Sequence, residues 1–458
     1  MKKLLLLIFA AVGSMANAQS LYWEEVSTGF PTTSTTQGQI SYADANTVWV
    51  YATAGDASGD FYQLWGRSLD GGVTWTNGPI NLPSTDLAIG SIHAMSATTA
   101  YIAVFPNAAT VQGGIYRTVD SGVTWVKQPT ALFNTGTDSF TNLVHFFDTN
   151  NGVCQGDPAG GYFEIYTTTN GGTNWVRVPS ANIPVPLSGE YGYTHNYETM
   201  GSTIWCGTNK GRIYKSTNQG LNWTVSQSPI TDFGSATVSG NFAMKDQNNG
   251  IFIASDWSFY RTTDGGVTWV SEFPQGEYYR NFDVAYVPNP GNVPVYVSTG
   301  LDLDEIGRGS SYTLDGGLTW VDINAITDPQ EIDVVDGGGA LSFYDCTHGL
   351  ASGFTTSSTV GGIWHNIFDY CSLLANEDFT AQASFTASPN PTAGALEIAG
   401  KNIANVSVYD ILGKQVLNAN YGSLNNVNIN LGSLNTGVYL VKVINDAGAA
   451  STIKVVKQ

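Results

Sequence analysis

The segment Thr262-Thr-Asp-Gly-Gly-Val-Thr-Trp269 decides the fold, because close variants of it occur six times along the 458-residue chain. Each copy has Asp or Asn at its turn and Trp five positions later. These pairs are Asp70 and Trp75, Asp120 and Trp125, Asn170 and Trp175, Asn218 and Trp223, Asp264 and Trp269, and Asp315 and Trp320. A period of roughly 40–50 residues suits one four-stranded blade of a β-propeller. The repeat therefore predicts an all-β fold of radially arranged blades.

Each copy is predicted to form a tight β-hairpin. Asp and Asn side chains accept hydrogen bonds from nearby backbone N–H groups, and the glycines that follow supply positive φ. The Trp begins the returning strand and can bury a large apolar area. Because Asn170 and Asn218 keep the acceptor but carry no charge, we assign the motif residues a structural role.

The motif resembles the Asp-box, or BNR, repeat of sialidases, sortilin-type receptors, xyloglucanase-type glycoside hydrolases and photosystem II stability-factor-like propellers. The resemblance implies a propeller whose Asp-boxes lie on the face away from the ligand. It does not specify an activity, because those families include both enzymes and receptors.

A second, weaker repeat predicts the number of blades. A polar turn and a short apolar strand precede each Asp-box, and a seventh copy follows at Asp345–Ala351. Seven such strands predict a seven-bladed β-propeller, with a degenerate Asp-box at Thr359–Trp364. The segment Leu21–Val26 resembles a strand that follows an Asp-box. We expect it to complete the seventh blade and close the ring, which removes exposed sheet edges.

The N-terminal residues predict secretion. Lys2 and Lys3, the apolar run Leu4–Val12 and Ala16-Asn-Ala18 are typical of a signal peptide that is cleaved after Ala18. The apolar run is too short to span a bilayer, and no other segment is a candidate transmembrane helix. In an oxidising compartment the four cysteines leave two alternatives open: a Cys346–Cys371 disulfide near the ring closure, or buried free thiols.

The charge of the chain excludes one class of partner. The formal net charge is −19, and residues 19–382 contain 34 acidic but 11 basic residues. Nucleic-acid binding requires basic patches that replace counterions. We therefore expect no nucleic-acid partner, and we expect the acidic surface to favour solubility outside the cell.

The C-terminal region is predicted to be a separate domain. We expect the signal peptide at 1–18, the propeller at 19–372, a linker at 373–382 and a final domain at 383–458. Short alternating strands with closely spaced turn signals predict that the final domain is a small Ig-like β-sandwich.

Three motifs in this domain, PNPTAG, VYDILGK and GVYLVKV, resemble the type A C-terminal sorting domain of the type IX secretion system of Bacteroidetes. The resemblance implies that the type IX machinery recognises residues 383–458 and carries the protein from the periplasm across the outer membrane. It also implies release or attachment at the cell surface. The matching residues are Pro389, Asn390, Pro391, Gly394, Asp410, Gly413, Lys414, Gly437 and Tyr439.

The loops on the face opposite the Asp-boxes contain the candidate functional residues. Aromatic side chains beside carboxylates suit sugar binding, and glycoside hydrolysis uses a carboxylate pair. The ligand-binding candidates are Tyr191, Tyr193, Tyr278, Tyr279 and Arg280, and the candidate catalytic carboxylates are Asp157, Glu190, Glu277 and Asp302. Asp302, Asp304 and Glu305 are either calcium ligands or a solvated acidic turn. We predict no other cofactor.

The preferred function is a noncatalytic binding platform for a glycan or another surface macromolecule. The alternative is an extracellular glycoside hydrolase with its carboxylates on the loop face. A third possibility is an adhesion or assembly factor with a protein partner, which an exposed apolar patch would favour. Sialidase activity is disfavoured, because an Arg-Ile-Pro signature is absent and the seven arginines are scattered.

Overall fold

The computed structural model describes residues 22–55, 60–134, 139–231, 238–276, 279–300, 309–323, 340–375, 385–411, 413–446 and 450–458. The predicted signal peptide and the candidate residues Glu277, Tyr278, Asp302, Asp304 and Glu305 lie outside these ranges. The chain divides into two compact units, one that ends at Cys371 and one that begins at Ser372.

The first unit contains seven sheets among its described residues, which we number as blades 1 to 7. Strand β1 (Trp23–Ser27) belongs to blade 7. Blades 1 to 3 are β2 (Thr35–Tyr42), β3 (Val48–Ala54), β4 (Leu64–Ser68) and β5 (Thr76–Pro79); β6 (Leu87–Ala94), β7 (Ala100–Pro106), β8 (Gly114–Thr118) and β9 (Val126–Lys127); and β10 (Thr141–Phe146), β11 (Gly152–Pro158), β12 (Phe163–Thr168) and β13 (Val176–Arg177).

The remaining blades follow the same order along the chain. Blades 4 and 5 are β14 (Gly192–Met200), β15 (Thr203–Thr208), β16 (Arg212–Ser216) and β17 (Thr224–Gln227); and β18 (Gly240–Met244), β19 (Gly250–Ala254), β20 (Phe259–Thr262) and β21 (Val270–Glu272). Blades 6 and 7 are β22 (Gln275–Gly276), β23 (Asp283–Tyr286), β24 (Tyr296–Gly300), β25 (Gly309–Thr313) and β26 (Thr319–Asp322); and β27 (Leu341–Phe343), β28 (Gly349–Ser357) and β29 (Val360–Asn366) with β1. A short helix, α1 (Tyr370–Ala375), follows blade 7.

The blades form a closed ring around their innermost strands. Each of β2, β6, β10, β14, β18 and β23 contacts the innermost strand of the next blade, and β27 contacts β2. This arrangement is that of a β-propeller, so the predicted all-β propeller fold is confirmed.

The ring is closed by the two ends of the unit. Strand β1 pairs antiparallel with β29, with Trp23 opposite Asn366, as the sequence predicts. The Cys346–Cys371 disulfide joins blade 7 to α1, while Cys154 and Cys206 are buried free thiols. The fully buried Tyr370 packs beside the disulfide, and its N–H donates to the Cys346 carbonyl at 3.0 Å.

One sequence prediction about blade 7 is wrong. The segment Thr359–Trp364 is not a degenerate Asp-box, because Val360–Asn366 is strand β29 itself. Each of the six repeats that resemble the Asp-box, for which we keep that name, connects the third strand of a blade, counted from the innermost, to the fourth. In blade 7 the fourth strand is β1, from the other end of the unit, so the hairpin that an Asp-box would close does not exist.

The Asp-box turns are held by side-chain hydrogen bonds. The Asp264 Oδ1 atom accepts from the Thr268 N–H at 2.9 Å and from the Thr262 hydroxyl at 2.9 Å, and Oδ2 accepts from the Thr268 hydroxyl at 2.6 Å. In the copies that have Asn in place of Asp, the amide oxygen accepts the same hydrogen bond from the backbone. For example, Asn170 Oδ1 accepts from the Asn174 N–H at 2.9 Å. The bond that the copies share needs an acceptor oxygen but no charge.

Each Asp-box also packs its blade against the preceding blade. Trp125 of blade 2 lies in one core with Trp49 and Trp65 of blade 1, and Trp320 of blade 6 contacts Phe259 of blade 5. In blade 2 the second glycine position of the Asp-box approaches blade 1 closely. Gly122 has a φ of +86°, and a Cβ atom there would overlap the ring of Trp65. Positive φ and lack of space therefore both require glycine at this position.

Polar side chains of the inner strands link neighbouring blades. Gln39 Oε1 and Ser41 Oγ of blade 1 accept from backbone N–H groups of blade 2 at 2.8 and 2.9 Å. Ser91 Oγ accepts from blade 3 at 3.0 Å, and Asp283 Oδ2 of blade 6 accepts from the N–H of Leu341 in blade 7 at 3.0 Å. The donors are N–H groups on the unpaired side of the innermost strand of the next blade, and these side chains give them the partner that their own sheet does not supply.

The second unit is a small β-structure around one apolar core. Its strands are β30 (Thr386–Ser388), β31 (Ala395–Asp410), β32 (Gln415–Asn430), β33 (Gly437–Asn445) and β34 (Ala450–Lys457). The first part of β31 pairs with β30 and its last part pairs with β33, with register shifts between Ala399 and Asn405. The long β31–β32 hairpin therefore has different neighbours at its two ends within one five-stranded network, and a bend between the two parts is compatible with the predicted sandwich.

Several sorting-motif residues lie at turns of this unit. Asn390 bonds through its side chain to both the Lys454 carbonyl, at 2.7 Å, and the Val456 N–H, at 2.9 Å. Asp410 accepts from the Lys414 N–H at 3.0 Å, and the Tyr439 hydroxyl donates to the Asn435 carbonyl at 2.9 Å. The motif residues thus fix local turns and strand ends.

The Asp-box glycines give a test of inter-blade packing. We expect Gly122→Ala to lower the free energy of unfolding by roughly 2–4 kcal/mol, from positive φ together with overpacking. The control is Gly160→Ala, because Gly160 has a φ of +73° but no heavy atom within 4 Å of the position that a Cβ atom would take. This change should cost only about 1–2 kcal/mol. Denaturant titration measures both, and equal losses would contradict the packing argument.

The disulfide gives a test of ring closure. Its two cysteines are 25 residues apart in the sequence. Replacing both Cys346 and Cys371 by Ser should therefore lower the free energy of unfolding by about 3 kcal/mol. Thermal unfolding of the two proteins, with the Cys154→Ser variant as a non-disulfide control, measures the effect. An unchanged melting temperature in the double variant would show that the clasp does not stabilise the ring.

Candidate functional site

A pocket of about 490 Å³ on the loop face is formed by blades 1 to 4. It is lined by Tyr51, Thr53, Phe61, Ile89, Phe105, Phe140, Asp157, Tyr191, Gly192, Tyr193 and Thr194. Most of these residues lie where a second strand leads to a third, or a fourth to the next blade. Asp-boxes connect third strands to fourth strands. The alternation of antiparallel strands therefore puts this pocket at the opposite end of the ring from the Asp-boxes.

Aromatic rings form the walls of the pocket. Phe105 and Phe140 are stacked with their centroids 4.3 Å apart, and Phe61 meets Phe105 edge-on at 5.5 Å. On the other side, Tyr191 and Tyr193 form an edge-to-face pair at 5.9 Å. Phe61 and Tyr191 remain 43% and 42% exposed. Two large rings are therefore available to a ligand while others support them.

Asp157 is the one carboxylate among the described residues that line this pocket. Its Oδ1 atom accepts from the Asn142 amide at 2.8 Å and from the Gly192 N–H at 3.0 Å. Burial raises the pKa of Asp157 to about 6, against these two hydrogen bonds, which lower it. At neutral pH the group is therefore mostly ionised, with one oxygen fixed in place.

The loop that presents Tyr191 is held by buried polar contacts. The Tyr191 N–H donates to Asn209 Oδ1 at 2.8 Å, and the Asn209 N–H donates to the Tyr191 carbonyl at 3.1 Å. Beside them Glu190 is paired with Arg212, whose Nε donates to Glu190 Oε1 at 2.9 Å. The aromatic wall is thus built on a rigid support.

Glu190 is a candidate catalytic carboxylate by sequence, but its side chain is fully buried in the ion pair with Arg212. It also accepts from the Thr208 hydroxyl and the Leu187 N–H, both at 2.7 Å. Burial raises its pKa, but the bonds from Arg212, Leu187 and Thr208 outweigh this and hold the pKa below the usual range. This geometry suits an anchor for the loop rather than a general acid.

Two of the sequence-predicted ligand-binding residues lie away from the pocket. Tyr279 is buried, and its hydroxyl bonds to the Trp257 carbonyl. Arg280 is also buried and pairs with Asp322 at 2.8 Å. These contacts fix the start of blade 6, so we do not include either residue in the candidate site.

Sequence reasoning missed the phenylalanine walls. Phe61 and Phe140 precede β4 and β10, and Phe105 lies near the end of β7, so the three rings come from three different blades. Phe61 follows Asp60 in the sequence, and Phe140 lies two residues after Asp138. Their position relative to the Asp-box repeat, at loops of the opposite face, is the signal that could have identified them.

A second cavity, of about 350 Å³, lies along the inner strands at the centre of the ring. Its polar lining includes Gln39, His93, His145, Glu198 and Asp283. The two histidine rings are 4.7 Å apart. Gln39 crosses the ring and donates to the Tyr197 hydroxyl, which links blade 1 to blade 4.

Burial controls the ionisation of this central cavity. It raises the pKa of Asp283 to about 7 against hydrogen bonds from Val284 and Leu341, and it lowers the pKa of His93 to about 4. Burial and the charge of Asp283 together raise the pKa of Glu198. Burial and the charge of His93 lower that of His145. The cavity therefore favours the neutral forms of both acids and both bases.

The described residues offer little for metal binding. One group of three potential ligands comes together, Cys346, Asp369 and Cys371, and its two sulfur atoms are joined in the disulfide. None of the helices in the described part of the chain has the length and apolar character needed to span a bilayer.

The raised pKa of Asp283 predicts a pH-dependent stability difference. Its protonated form is favoured by folding, so its stabilising contribution is complete below about pH 4 and is lost as the pH rises through 7. Relative to wild type, Asp283→Asn should therefore become more stable as the pH rises from about 4 to 8. The stability contributions of the buried His93 and His145 change with pH in the opposite direction, but they do so in both wild type and Asp283→Asn and therefore cancel in the comparison. Urea titrations at both pH values measure the difference, and a constant difference would contradict this ionisation.

Comparison with solved structures identifies the fold of the first unit. YCF48 bound to a D1 peptide aligns with a TM-score of 0.50 at 16% identity, over 76% of this chain and 97% of that chain. YCF48 from Cyanidioschyzon merolae aligns with a TM-score of 0.50 at 15% identity, over 76% and 99%. A Trypanosoma rangeli sialidase aligns at 0.41 and 11% identity, over 96% and 87%, and this score supports no functional argument. At these identities the similarity shows the fold alone.

The second unit gives the clearer assignment. The family model described as the secretion system C-terminal sorting domain matches residues 387–458. No curated protein sequence matches the chain significantly. The domain match indicates export by the type IX secretion system to the cell surface or the extracellular space. The chain is therefore a β-propeller that carries a C-terminal sorting domain for this export route.

Proposed function

We propose that the protein is an exported, noncatalytic binding protein whose propeller holds a glycan of a surface macromolecule in the aromatic pocket. The observation that carries this proposal is a cavity of about 490 Å³ whose walls are aromatic and whose described lining contains one carboxylate. Ligand sites are commonly concave, mostly apolar and of roughly 300–1,000 Å³. The type IX machinery would deliver this pocket to the outside of the cell.

The aromatic walls suit a sugar ring. Phe61 and Tyr191 expose ring faces and edges, on which the apolar C–H face of a pyranose can lie. Thr53, Thr194 and Asp157 add polar groups to the same lining, and these can meet sugar hydroxyls. An apolar face beside a few fixed polar groups gives both affinity and orientation.

The carboxylates favour binding over hydrolysis. A glycoside hydrolase generally needs two carboxyl groups about 5–10 Å apart across the scissile bond. Asp157 faces the pocket, but Glu190 is held by Arg212 and is not among the lining residues. A single carboxylate in the described lining can orient a sugar, and the described residues of the pocket do not include a second one for an acid–base pair.

The arginines disfavour a sialidase-type site. Those that the structure describes serve separate blades: for example, Arg67 packs over Trp49, Arg177 over Tyr162, and Arg212 pairs with Glu190. None of the described arginines lines the aromatic pocket. A cluster that grips a sugar carboxylate is therefore not supported there.

The test is a glycan array probed with the full chain, with released sugars assayed in the same wells. Tyr191→Ala and Phe61→Ala should each weaken binding about tenfold, because a single aromatic contact contributes roughly 1–2 kcal/mol. The matched control is Phe273→Ala, since Phe273 is 85% exposed and does not line the pocket. It should bind like the wild type.

Three outcomes separate the candidates. Binding without sugar release, lost in the two pocket variants, supports the proposal. Sugar release would overturn the noncatalytic part and would direct mutagenesis to Asp157 and to Glu277 or Asp302. Binding that all three variants retain would exclude this pocket as the site.

A further inference from the structure

We propose that the sugar in the aromatic pocket is an amino sugar with a free amino group, whose ammonium is held by Asp157. This inference rests on the proposed function, since it names the ligand class of the same pocket. It goes beyond that function by predicting discrimination between free and acetylated amino groups.

The carboxylate of Asp157 has one oxygen occupied and one available. Oδ1 accepts both of the hydrogen bonds from Asn142 and Gly192. Oδ2 accepts none from the described residues, and the side chain is only partly buried and lines the cavity. The fixed Oδ1 orients the group, so Oδ2 is presented to a ligand without loss of side-chain freedom on binding.

The described lining of the pocket has one negatively charged group and no basic side chain. No Lys, Arg or His is among the described residues that line the pocket. An ionised carboxylate that is partly removed from water is costly unless a cation or several donors compensate it. The described residues give Asp157 two neutral donors and no cation, so a cationic ligand would supply the compensating charge.

The aromatic walls also favour a positively charged group on the ligand. Ammonium groups are attracted to the faces of aromatic rings within about 6 Å, and the rings of Phe61, Tyr191 and Tyr193 surround the cavity. Residues 19–382 contain 34 acidic and 11 basic residues. The negative field of such a surface raises the local concentration and association rate of a cationic ligand.

The size of the cavity distinguishes an amino sugar from a lysine side chain. A single lysine side chain or a single pyranose ring would leave much of 490 Å³ unfilled, whereas linked pyranose rings can occupy more of the cavity, contact its aromatic walls and place hydroxyls near Thr53 and Thr194. N-Acetylation removes the positive charge and adds bulk at the nitrogen. An acetylated sugar therefore loses the ion pair with Asp157.

The experiment compares three tetrasaccharides by calorimetry on the full chain: β-1,4-linked glucosamine, its fully N-acetylated form, and the neutral glucose analogue. We expect the free amine to bind about 10- to 100-fold more tightly than the other two, as a charge-assisted hydrogen bond predicts. Because the ligand changes and the protein does not, this comparison does not depend on the folding of a variant.

Asp157→Asn then locates the effect. The amide keeps an oxygen for the Asn142 and Gly192 donors, so the local geometry should be retained, while the ratio of amine to neutral-sugar affinity should fall to about one. Asp86→Asn is the control, because it makes the same change in net charge at an exposed carboxylate outside the pocket. It should retain the preference.

Each failure has a distinct meaning. Equal binding of all three sugars by the wild type would overturn the amino-sugar inference and leave glycan binding intact. An amine preference that survives in Asp157→Asn would overturn the role of Asp157. Binding of none of the three sugars would overturn the amino-sugar inference, and the glycan array would decide separately whether the pocket binds another glycan. A lysine-rich peptide added as a fourth ligand would show whether the pocket binds a polypeptide ammonium instead.

Discussion

The propeller depends on the contact that each Asp-box makes with the preceding blade. A four-stranded sheet cannot bury both of its faces alone, so its stability comes from its neighbours. The second glycine of the box allows the turn to approach, as at Gly122 against Trp65, and the Trp fills the core between the blades, as Trp125 does beside Trp49. One short motif therefore sets both the hairpin and the distance between blades, which explains its return in six of the seven.

The inner strands and the closure turn this repeated contact into a defined ring. Side chains such as Gln39, Ser41 and Ser91 bond to the backbone of the next blade, and β1 joins the first residues of the unit to its last strand. The Asp-box end of the ring packs one blade against the next. The loops at the opposite end do not make these contacts, and they differ in length from blade to blade. The aromatic pocket arises there, where unequal loops of four consecutive blades meet and where Glu190 with Arg212 supports the loop that presents Tyr191.

The repeat made the architecture and the closing strand predictable, because both follow from local turn chemistry and a fixed period. The site was predictable only in part. Asp157, Tyr191 and Tyr193 were nominated from their loops, but Glu190 finds its partner 22 residues away, and that pairing is visible only when β14 and β16 are in place. Phe61, Phe105 and Phe140 are far apart in the sequence, and only the folded blades bring them together. The prediction of a seventh Asp-box is wrong because the outermost strand of blade 7 comes from the other end of the unit. This is a consequence of topology rather than of local sequence.

The most direct test of the binding account is a crystal structure of the full chain soaked with the glucosamine tetrasaccharide. The account predicts an intact sugar in the pocket, with one ring against Tyr191 or Phe61 and the amino nitrogen about 3 Å from Asp157 Oδ2. A sugar found at the central cavity or on the Asp-box end, or a cleaved sugar in the pocket, would contradict it.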